Sequence, residues 1–278
     1  MKKTVLITGC SSGIGKTTAQ YFARQGWNVL ATMRQPEAAR DLADLPGVSV
    51  ARLDVQDQES IGQAIGAGID RFGKIDAVIN NAGFGVIGLF ETLPRKRVQE
   101  QFDVNFFGVM DVTRAILPHF RANGAGVVVN ISSGAGVITV PLLSIYCASK
   151  FALEGLSEGL YYELASQNIA VKIIELGTVA STNFVKRSAE PVEGCVQIRD
   201  YDRFMTHANA ILAEQSSGDD HPATEEEVAA AIFGATTDGT NRLRYVATAD
   251  IVPLLTARRE TSEENYMAFM RSLFMPKS

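Results

Sequence analysis

The chain has 278 residues, 46% hydrophobic and 21% charged, so it can bury a large core in one α/β domain or in two smaller ones. Its net charge of −5 argues against broad electrostatic binding to nucleic acid or to an anionic membrane. Three widely spaced cysteines show no metal-ligand pattern, and a sparse, odd count is typical of a reducing cytoplasm. The apolar run after Lys3 is too short for a signal peptide or a membrane span. We therefore expect a cytoplasmic protein without a metal site.

The first predicted elements are a strand, a glycine-rich turn and a helix. β-branched residues from Thr4 to Thr8 predict the strand, and residues 16–24 carry a helical pattern. Between them lie Gly9, Gly13 and Gly15. Glycines permit a tight turn and the close approach of a pyrophosphate, whose charge is stabilised by the helix N-terminus. This turn predicts nucleotide binding.

Two nucleotide-binding motifs compete for this turn. The run Gly15-Lys16-Thr17 resembles the end of a phosphate-binding P-loop. That motif needs its first glycine at position 10, which is Cys10. The spacing from Gly9 instead matches a glycine pattern found in a dehydrogenase superfamily. The spacing disfavours a P-loop phosphotransferase without eliminating it.

The residues after the second predicted strand, 27–32, bear on cofactor choice. Many NAD-binding folds have an acid here for the ribose 2′-hydroxyl, but this chain has Met33. Arg34 follows, and its planar guanidinium could hold a 2′-phosphate. An ordinary solvated surface arginine is the equally weighted alternative.

Strand and helix patterns alternate through residue 182. The predicted strands are 48–53, 75–79, 126–131 and 169–175, and the predicted helices are 37–44, 60–72, 94–123 and one running to Leu164. This alternation predicts an α/β fold, a single-domain Rossmann-type, doubly wound parallel sheet of about seven strands with helices on both faces. Ligands bind such sheets at the carboxyl ends of the strands. The residues that follow predicted strands are the glycine turn, Arg34, Asp54, Asn81, Ser133 and Gly177.

Three residues in the predicted helices are candidates for a catalytic site. Tyr146 and Lys150 lie four residues apart at the start of a helix, so their side chains share one face. A neighbouring ammonium lowers the pKa of a tyrosine, which favours acid–base catalysis nearer neutral pH. Asn105 lies mid-helix between Val104 and Phe106, so we expect it to face inward, where its amide needs partners. A purely structural asparagine is the alternative.

The last third of the chain is less regular. Helices are predicted over 199–213 and 225–235, the latter opened by a capping box at Thr224, and a seventh strand over 242–248. A second capping pattern at Thr261 precedes a last helix ending near Phe274. Residues 183–223 are predicted to form a substrate loop, and 250–278 a C-terminal extension. The loop carries Phe184, Val185, Tyr201, Phe204 and Met205. These side chains suggest a bulky, apolar substrate, or else simply dock the segment on the core.

Taken together, these motifs resemble the short-chain dehydrogenase/reductase superfamily over residues 4–182. The matching residues are Thr8, Gly9, Gly13, Ile14, Gly15, Asp54, Asn81, Ala82, Gly83, Asn105, Ser133, Tyr146 and Lys150. Ser133 stands thirteen residues before Tyr146, as in that family. The run from Tyr146 to Leu156 is similar to the branch of 17β-hydroxysteroid and retinol dehydrogenases.

The resemblance implies a role for each matching residue. Tyr146 would be the general acid or base, Lys150 would lower its pKa and bind the nicotinamide ribose, and Ser133 would polarise the substrate oxygen. Asn105 would position a water molecule that links Lys150 to solvent. The implied cofactor contacts are Gly9, Ser11, Ser12, Gly13, Ile14 and Gly15 at the phosphates and adenosine ribose, Arg34 at a 2′-phosphate, Asp54 and Val55 at the adenine, Asn81, Ala82 and Gly83 at the middle of the dinucleotide, and Val179, Tyr146 and Lys150 at the nicotinamide end.

The resemblance further implies an NADP(H)-dependent oxidoreductase, a homodimer or homotetramer, that acts on a carbonyl or a secondary alcohol. A non-catalytic NADP-binding sensor or scaffold of the same fold is the alternative. One departure from the family is Leu176, where a proline is usual. The loop from Gly177 to Thr182, which would touch the nicotinamide amide, is therefore expected to be less rigid. Either Ser181 or Thr182 would provide its hydroxyl.

Overall fold

The computed structural model describes residues 2–179, 188, 198–217 and 222–275. These residues contain a parallel sheet of seven strands in the order β3-β2-β1-β4-β5-β6-β7. The strands are β1 (Thr4–Thr8), β2 (Asn28–Met33), β3 (Val48–Arg52), β4 (Ala77–Asn80), β5 (Gly126–Ile131), β6 (Ile169–Glu175) and β7 (Arg244–Val246). The predicted fold class is confirmed.

The α-helices of the described part are α1 (Gly13–Arg24), α2 (Arg40–Ala43), α3 (Gln58–Phe72), α4 (Arg95–Phe102), α5 (Val109–Ala122), α6 (Ser144–Ala165), α7 (Asp202–Ser217), α8 (Glu225–Thr237), α9 (Val252–Glu260) and α10 (Glu263–Phe274). None of the described helices is both long enough and apolar enough to cross a bilayer.

Helices cover both faces of the sheet because each strand is apolar on both sides. All five residues of β1 are buried, as expected for a central parallel strand. Ile7 packs with Phe22 of α1 and Ile232 of α8. Leu6, which points to the other face, belongs to a cluster with Ile116 of α5. The core therefore consists of two apolar layers separated by the sheet.

The strand order reverses between β1 and β4, so the connections after these neighbouring strands lead to opposite sides of the sheet. Such a reversal leaves a crevice outside the carboxyl ends of the two strands. The glycine turn follows β1, and Asn81 follows β4. Both lie at this crevice.

Some predicted elements differ from the structure. The predicted helix 94–123 is interrupted by a π-helical segment, Asp103–Gly108, and the predicted helix 37–44 is a 3₁₀ turn followed by the four-residue α2. Helix α9 was not predicted; proline stands in its first turn, a position where the missing N–H costs little.

The two predicted caps had different outcomes. Thr224 forms the predicted capping box with Glu227 at the start of α8. The cap predicted at Thr261 is wrong, because Ser262 Oγ accepts the 3.3 Å hydrogen bond from Asn265 N–H and α10 begins one residue later.

The predicted substrate loop, 183–223, is described only in part, and Phe184 and Val185 lie outside the described residues. Helix α7 contains Phe204 and Met205, both half-buried. Ile211 of this helix packs against a cluster formed with Tyr266 of α10. Ile211 therefore docks α7 against α10, and the role of the apolar residues of the loop stays a prediction.

Candidate active site

Tyr146 and Lys150 lie on the first turns of α6, and both side chains are more than nine-tenths buried. The Lys150 ammonium lies 5.9 Å from the centre of the Tyr146 ring. Lys150 Nζ donates a 2.8 Å hydrogen bond to the carbonyl oxygen of Ile131, the last residue of β5. This bond uses one of three ammonium donors and anchors the lysine at the carboxyl edge of the sheet.

Ser133, two residues beyond β5, joins Tyr146 at this edge. The Ser133 hydroxyl donates to Leu176 O at 3.1 Å and accepts from Ala135 N at 3.2 Å. Its side chain also lowers the pKa of the buried Tyr146 hydroxyl. The role of Ser133 toward the substrate oxygen stays a prediction.

Burial dominates the protonation of both titratable groups. It raises the pKa of Tyr146 to about 12, against the opposing effect of the Ser133 hydrogen bond. It lowers the pKa of Lys150 to about 8, and the charge of Glu154 opposes that change. The net pKa of Tyr146 in the protein chain by itself is therefore raised, because desolvation of the phenolate dominates. The lowering of this pKa by Lys150 stays a prediction.

Asn105 lies in the π-helical segment between α4 and α5 and is 1% exposed. Its Oδ1 accepts from Phe84 N at 3.1 Å, and its Nδ2 donates to Phe84 O at 2.9 Å and to Ser149 Oγ at 3.2 Å. The predicted inward-facing amide with polar partners is confirmed. It ties the segment after β4 to the catalytic helix, and π-helical insertions of this kind are frequent at functional sites.

The glycine turn is as tight as its sequence predicts. Gly9 has a φ of +74°, and a Cβ on Gly15 would lie 2.4 Å from Gly9 O. Thr8 Oγ1 accepts 3.0 Å hydrogen bonds from the backbone N–H groups of Asn81 and Ala82. Asn81 Nδ2 donates to Thr8 O at 2.9 Å. Asn81 thus supports the turn from below.

The turn fits a pyrophosphate. The N-cap residue of α1, Ser12, makes no side-chain cap hydrogen bond, so its hydroxyl does not occupy the first N–H groups of the helix. A Cβ on Gly13 would meet only Glu225 Oε1 within 4 Å, at 3.9 Å. The approach to the helix N-terminus is therefore open, and such an end stabilises phosphate. Ser11 is exposed at this rim and Ile14 is half-buried.

At the end of β2, Arg34 is exposed and Met33 is 2% exposed and packed in the core. Lys16 Nζ forms a 2.7 Å ion pair with Asp41, which offsets its charge. Across β3, Asp54 Oδ1 accepts from Gln56 N at 3.1 Å. Arg34 is thus an exposed cation at the point where β2 meets the crevice.

The remaining predicted cofactor residues border the same crevice. Val55, next to Asp54, is 8% exposed, and a Cβ on Gly108 would lie 2.8 Å from its side chain. A Cβ on Gly83 would lie 3.2 Å from Asn105 Oδ1. Val179 forms an isolated bridge with Ala223.

The loop after β6 is held by two residues that the sequence did not single out. Gly177 N donates to Thr248 Oγ1 at 2.8 Å, and Thr178 N donates to Asp250 Oδ2 at 2.7 Å. Leu176 O also accepts from Gly134 N at 2.8 Å. The backbone of Gly177 and Thr178 is therefore hydrogen-bonded to the C-terminal third of the chain, while Ser181 and Thr182 lie outside the described residues. The lower rigidity of the loop stays a prediction. No local sequence signal could reveal partners about seventy positions away.

Comparison with known proteins agrees with this geometry. The family model described as short chain dehydrogenase matches residues 3–192. Human 17-beta-hydroxysteroid dehydrogenase type 1 is 35% identical over 287 aligned positions, covering 97% of this chain and 85% of that protein. The 3-ketodihydrosphingosine reductase of Bacteroides thetaiotaomicron is 37% identical over 215 residues, covering 77% of each chain.

Among solved structures, a short-chain dehydrogenase from Streptomyces avermitilis superimposes with a TM-score of 0.82 at 32% identity, covering 98% of this chain and 97% of that one. The match to the family model over most of the chain overturns the phosphotransferase alternative. The chain belongs to the short-chain dehydrogenase family of oxidoreductases.

Proposed function

We propose that this protein is an NADP(H)-dependent carbonyl reductase or secondary alcohol dehydrogenase with Tyr146 as its general acid and base. The observation that carries the proposal is that Lys150 lies beside Tyr146 and donates to Ile131 O at the carboxyl edge of β5, with Ser133 two residues beyond. The hydroxyls of Ser133 and Tyr146, together with the Lys150 ammonium, can bind a carbonyl oxygen and protonate it.

The three side chains divide the work. When bound, the nicotinamide supplies or accepts the hydride. Ser133 donates its hydroxyl hydrogen to the substrate oxygen, for which it must leave Leu176 O. Tyr146 gives its phenolic proton to that oxygen in reduction and takes it back in oxidation. Lys150 keeps two N–H donors beyond its bond to Ile131 O, which suit the ribose hydroxyls and stabilise the phenolate.

The cofactor preference follows from the end of β2. Arg34 is exposed there and can offer two parallel N–H donors to a 2′-phosphate. Met33 faces the core, so no acidic side chain at that position repels the phosphate. We therefore favour NADP(H) over NAD(H).

The substrate is proposed to be bulky and mainly apolar. Two relatives are named for a 17-beta-hydroxysteroid and for 3-ketodihydrosphingosine, both large molecules with little polar surface. The segment 183–223, part of which is the amphipathic α7, is long enough to cover such a molecule. Small hydrophilic ketones would then be poor substrates.

A non-catalytic NADP-binding sensor or scaffold is the competing function. It is disfavoured because Ser133, Tyr146, Lys150 and Asn105 are all present, and because a sensor has no need to bury a lysine beside a tyrosine. The same experiment separates the two.

The test is to follow NADPH absorbance with a panel of steroid-like, long-chain and small hydrophilic carbonyls, in wild type and in Tyr146→Phe. We expect turnover of at least one large apolar carbonyl, and its loss by about 10²- to 10⁴-fold in the variant, with cofactor binding retained. A variant with nearly normal kcat would exclude the Tyr146 mechanism. Cofactor binding without turnover across the panel would favour the sensor.

A further inference from the structure

Below the catalytic lysine lies a buried ionic cluster that the proposed mechanism does not use. Glu154 follows Lys150 by one turn of α6 and is 5% exposed, while Glu175 at the end of β6 is fully buried. Arg244 of β7 donates from Nε to Glu154 Oε2 at 3.0 Å and approaches Glu175 Oε1 to 3.6 Å. Arg259 of α9 pairs with both carboxylate oxygens of Glu175. The cluster joins the catalytic helix to the last two strands.

The two ends of this cluster differ in how well they are satisfied. Both oxygens of Glu175 receive hydrogen bonds from Arg259. Glu154 Oε1 and Ser132 Oγ are both buried without a completed hydrogen bond among the described residues. They are close together, since a Cβ on Gly136 would lie 2.8 Å from Ser132 Oγ and 2.9 Å from Glu154 Cγ. Among the described residues, Glu154 Oε1 thus has no hydrogen bond and its side chain lies near Ser132.

The charge of a buried carboxylate with an incomplete set of hydrogen bonds influences charged groups that it does not contact. Low dielectric strengthens the interaction between charges and makes a lone buried ammonium costly. The Glu154 charge raises the pKa of Lys150 against the lowering caused by burial. Burial and the neighbouring Glu175 charge also raise the pKa of Glu154 itself, whereas the Ser132 hydroxyl and then Arg244 oppose that rise. Arg244 therefore favours the ionised form of Glu154.

We propose that Glu154 is a positioning residue that keeps the Lys150 side chain charged at neutral pH. It acts through Lys150 and does not touch the reacting atoms. The inference rests on the proposed function, in which Lys150 works as an ammonium. The charged and titratable groups around this pair are Tyr146, Cys147 and Glu158 on α6, Glu175 on β6, Arg244 on β7 and Arg259 on α9.

The structure provides a matched control on the same helix. Glu158 lies one further turn along α6 and pairs with the same Arg244, from Nη2 to Oε2 at 2.5 Å. Its side chain is 46% exposed, compared with 7% for Glu154. Solvent screens an exposed carboxylate, so Glu158→Gln should leave Lys150 unaffected while still removing one partner of Arg244.

The experiment measures the titration of Lys150 directly. Protein labelled with carbon-13 at the lysine ε position is titrated by NMR, with the Lys150 signal assigned from Lys150→Arg. We expect Glu154→Gln to lower the Lys150 midpoint by at least about half a pH unit, with Glu158→Gln within error of wild type. Glu154→Asp, which retains the charge, should restore most of the shift. Should Glu154→Gln fail to fold, Glu154→Met replaces it.

The outcomes separate this inference from the proposed function. A Lys150 midpoint unchanged in Glu154→Gln, or lowered equally in Glu158→Gln, overturns the role of Glu154 whatever the enzyme turns over. The alkaline limb of the pH profile of kcat/KM should move in the same direction as the NMR midpoint. A nearly normal kcat in Tyr146→Phe would refute the catalytic proposal but would not change the conclusion drawn from the Lys150 titration.

Discussion

Asp250 Oδ2 accepts a 2.7 Å hydrogen bond from the backbone N–H of Thr178, joining the segment before α9 to the loop after β6. The contact is close, since a Cβ on Gly177 would lie 2.2 Å from Asp250 Oδ1. A glycine is therefore required beside this carboxylate. Thr248 holds the same loop through Gly177 N. Two side chains from the C-terminal third thus hold the loop after β6.

The first prediction concerns this contact. Asp250→Ala removes a charge-assisted hydrogen bond worth about 1.5–3 kcal/mol, so the loop must be ordered when the cofactor binds. We expect the Kd for NADPH, measured by fluorescence titration, to rise by about tenfold. Asp250→Asn, whose amide oxygen can still accept from Thr178 N, should stay near wild type. A normal Kd in Asp250→Ala would show that the loop is held without the carboxylate.

A second prediction couples Asp250 to Gly177. Gly177→Ala should destabilise the protein, because the new methyl group meets a carboxylate fixed by Thr178. In an Asp250→Ala background the same change should cost less, since the obstacle is gone. Denaturation of the four proteins of this double-mutant cycle should give an interaction energy of about 0.5–3 kcal/mol. Additive effects would mean that the two positions are independent.

Arg34 carries the prediction on cofactor choice. One charge-assisted bond to a 2′-phosphate should give wild type about a 10- to 100-fold preference for NADPH in kcat/KM, and Arg34→Ala should lose most of it. Arg52 of the neighbouring β3 provides the control, because it is exposed and already paired with Asp57 at 3.1 Å. Arg52→Ala should keep the preference. Wild type that prefers NADH would refute the assignment.

An acid at position 33 is a weaker test of the same idea. Met33 packs in the core with 2% exposure, so Met33→Asp would bury a charge as well as repel a 2′-phosphate. A fall in NADPH activity in that variant would combine both effects. The Arg34 comparison avoids this because its side chain is exposed.

Replacement of Lys150 is predicted to increase the stability of the protein and to abolish its activity. Its pKa is lowered from 10.5 to about 8, which corresponds to about 3 kcal/mol of destabilisation at neutral pH. Loss of the hydrogen bond from Lys150 to Ile131 O would lower the free energy of unfolding by about 1 kcal/mol. We expect Lys150→Met to raise the free energy of unfolding by about 1–2 kcal/mol at pH 7 while abolishing turnover.

The sign of the pH dependence makes this test sharp. A lysine whose pKa is lowered in the folded state destabilises that state fully at any pH below the lowered value. The penalty fades as the pH rises from about 8 toward 10.5, because in that range the unfolded lysine binds a proton that the folded lysine has already lost. The gain in Lys150→Met, measured by urea denaturation, should therefore shrink between pH 8 and pH 10. Lys74→Met, at a side chain 42% exposed, should show no comparable trend. A gain that is constant with pH would contradict the buried charge.

The last prediction concerns the stability of the protein when Asn105 is replaced. Asn105→Leu would leave the N–H of Phe84 without its partner, at about 1–3 kcal/mol. The C=O of Phe84 keeps the 2.6 Å hydrogen bond from Gln101 Nε2. We expect a clear fall in the free energy of unfolding. Gln99→Leu, at an exposed position of α4, should change it by less than about 0.5 kcal/mol. A small effect in Asn105→Leu would mean that water replaces the amide.

The sequence by itself determined the order of the elements and the residues at the strand ends. Strands β1, β5 and β6 coincide with the predicted ones because their buried apolar runs stop at polar or glycine residues. The Thr224 capping box was equally local. The glycine turn and the Tyr146–Lys150 spacing were also visible, since both are set by contacts within a few residues.

Only the tertiary structure decided the electrostatics of the site and its distant supports. Burial, which depends on the whole core, raises the pKa of Tyr146 and lowers that of Lys150. The contact of Asp250 with Thr178 joins residues 72 positions apart. Spacing reveals which side chains share a helix face, whereas desolvation and long-range pairing depend on how the sheet and helices close around them.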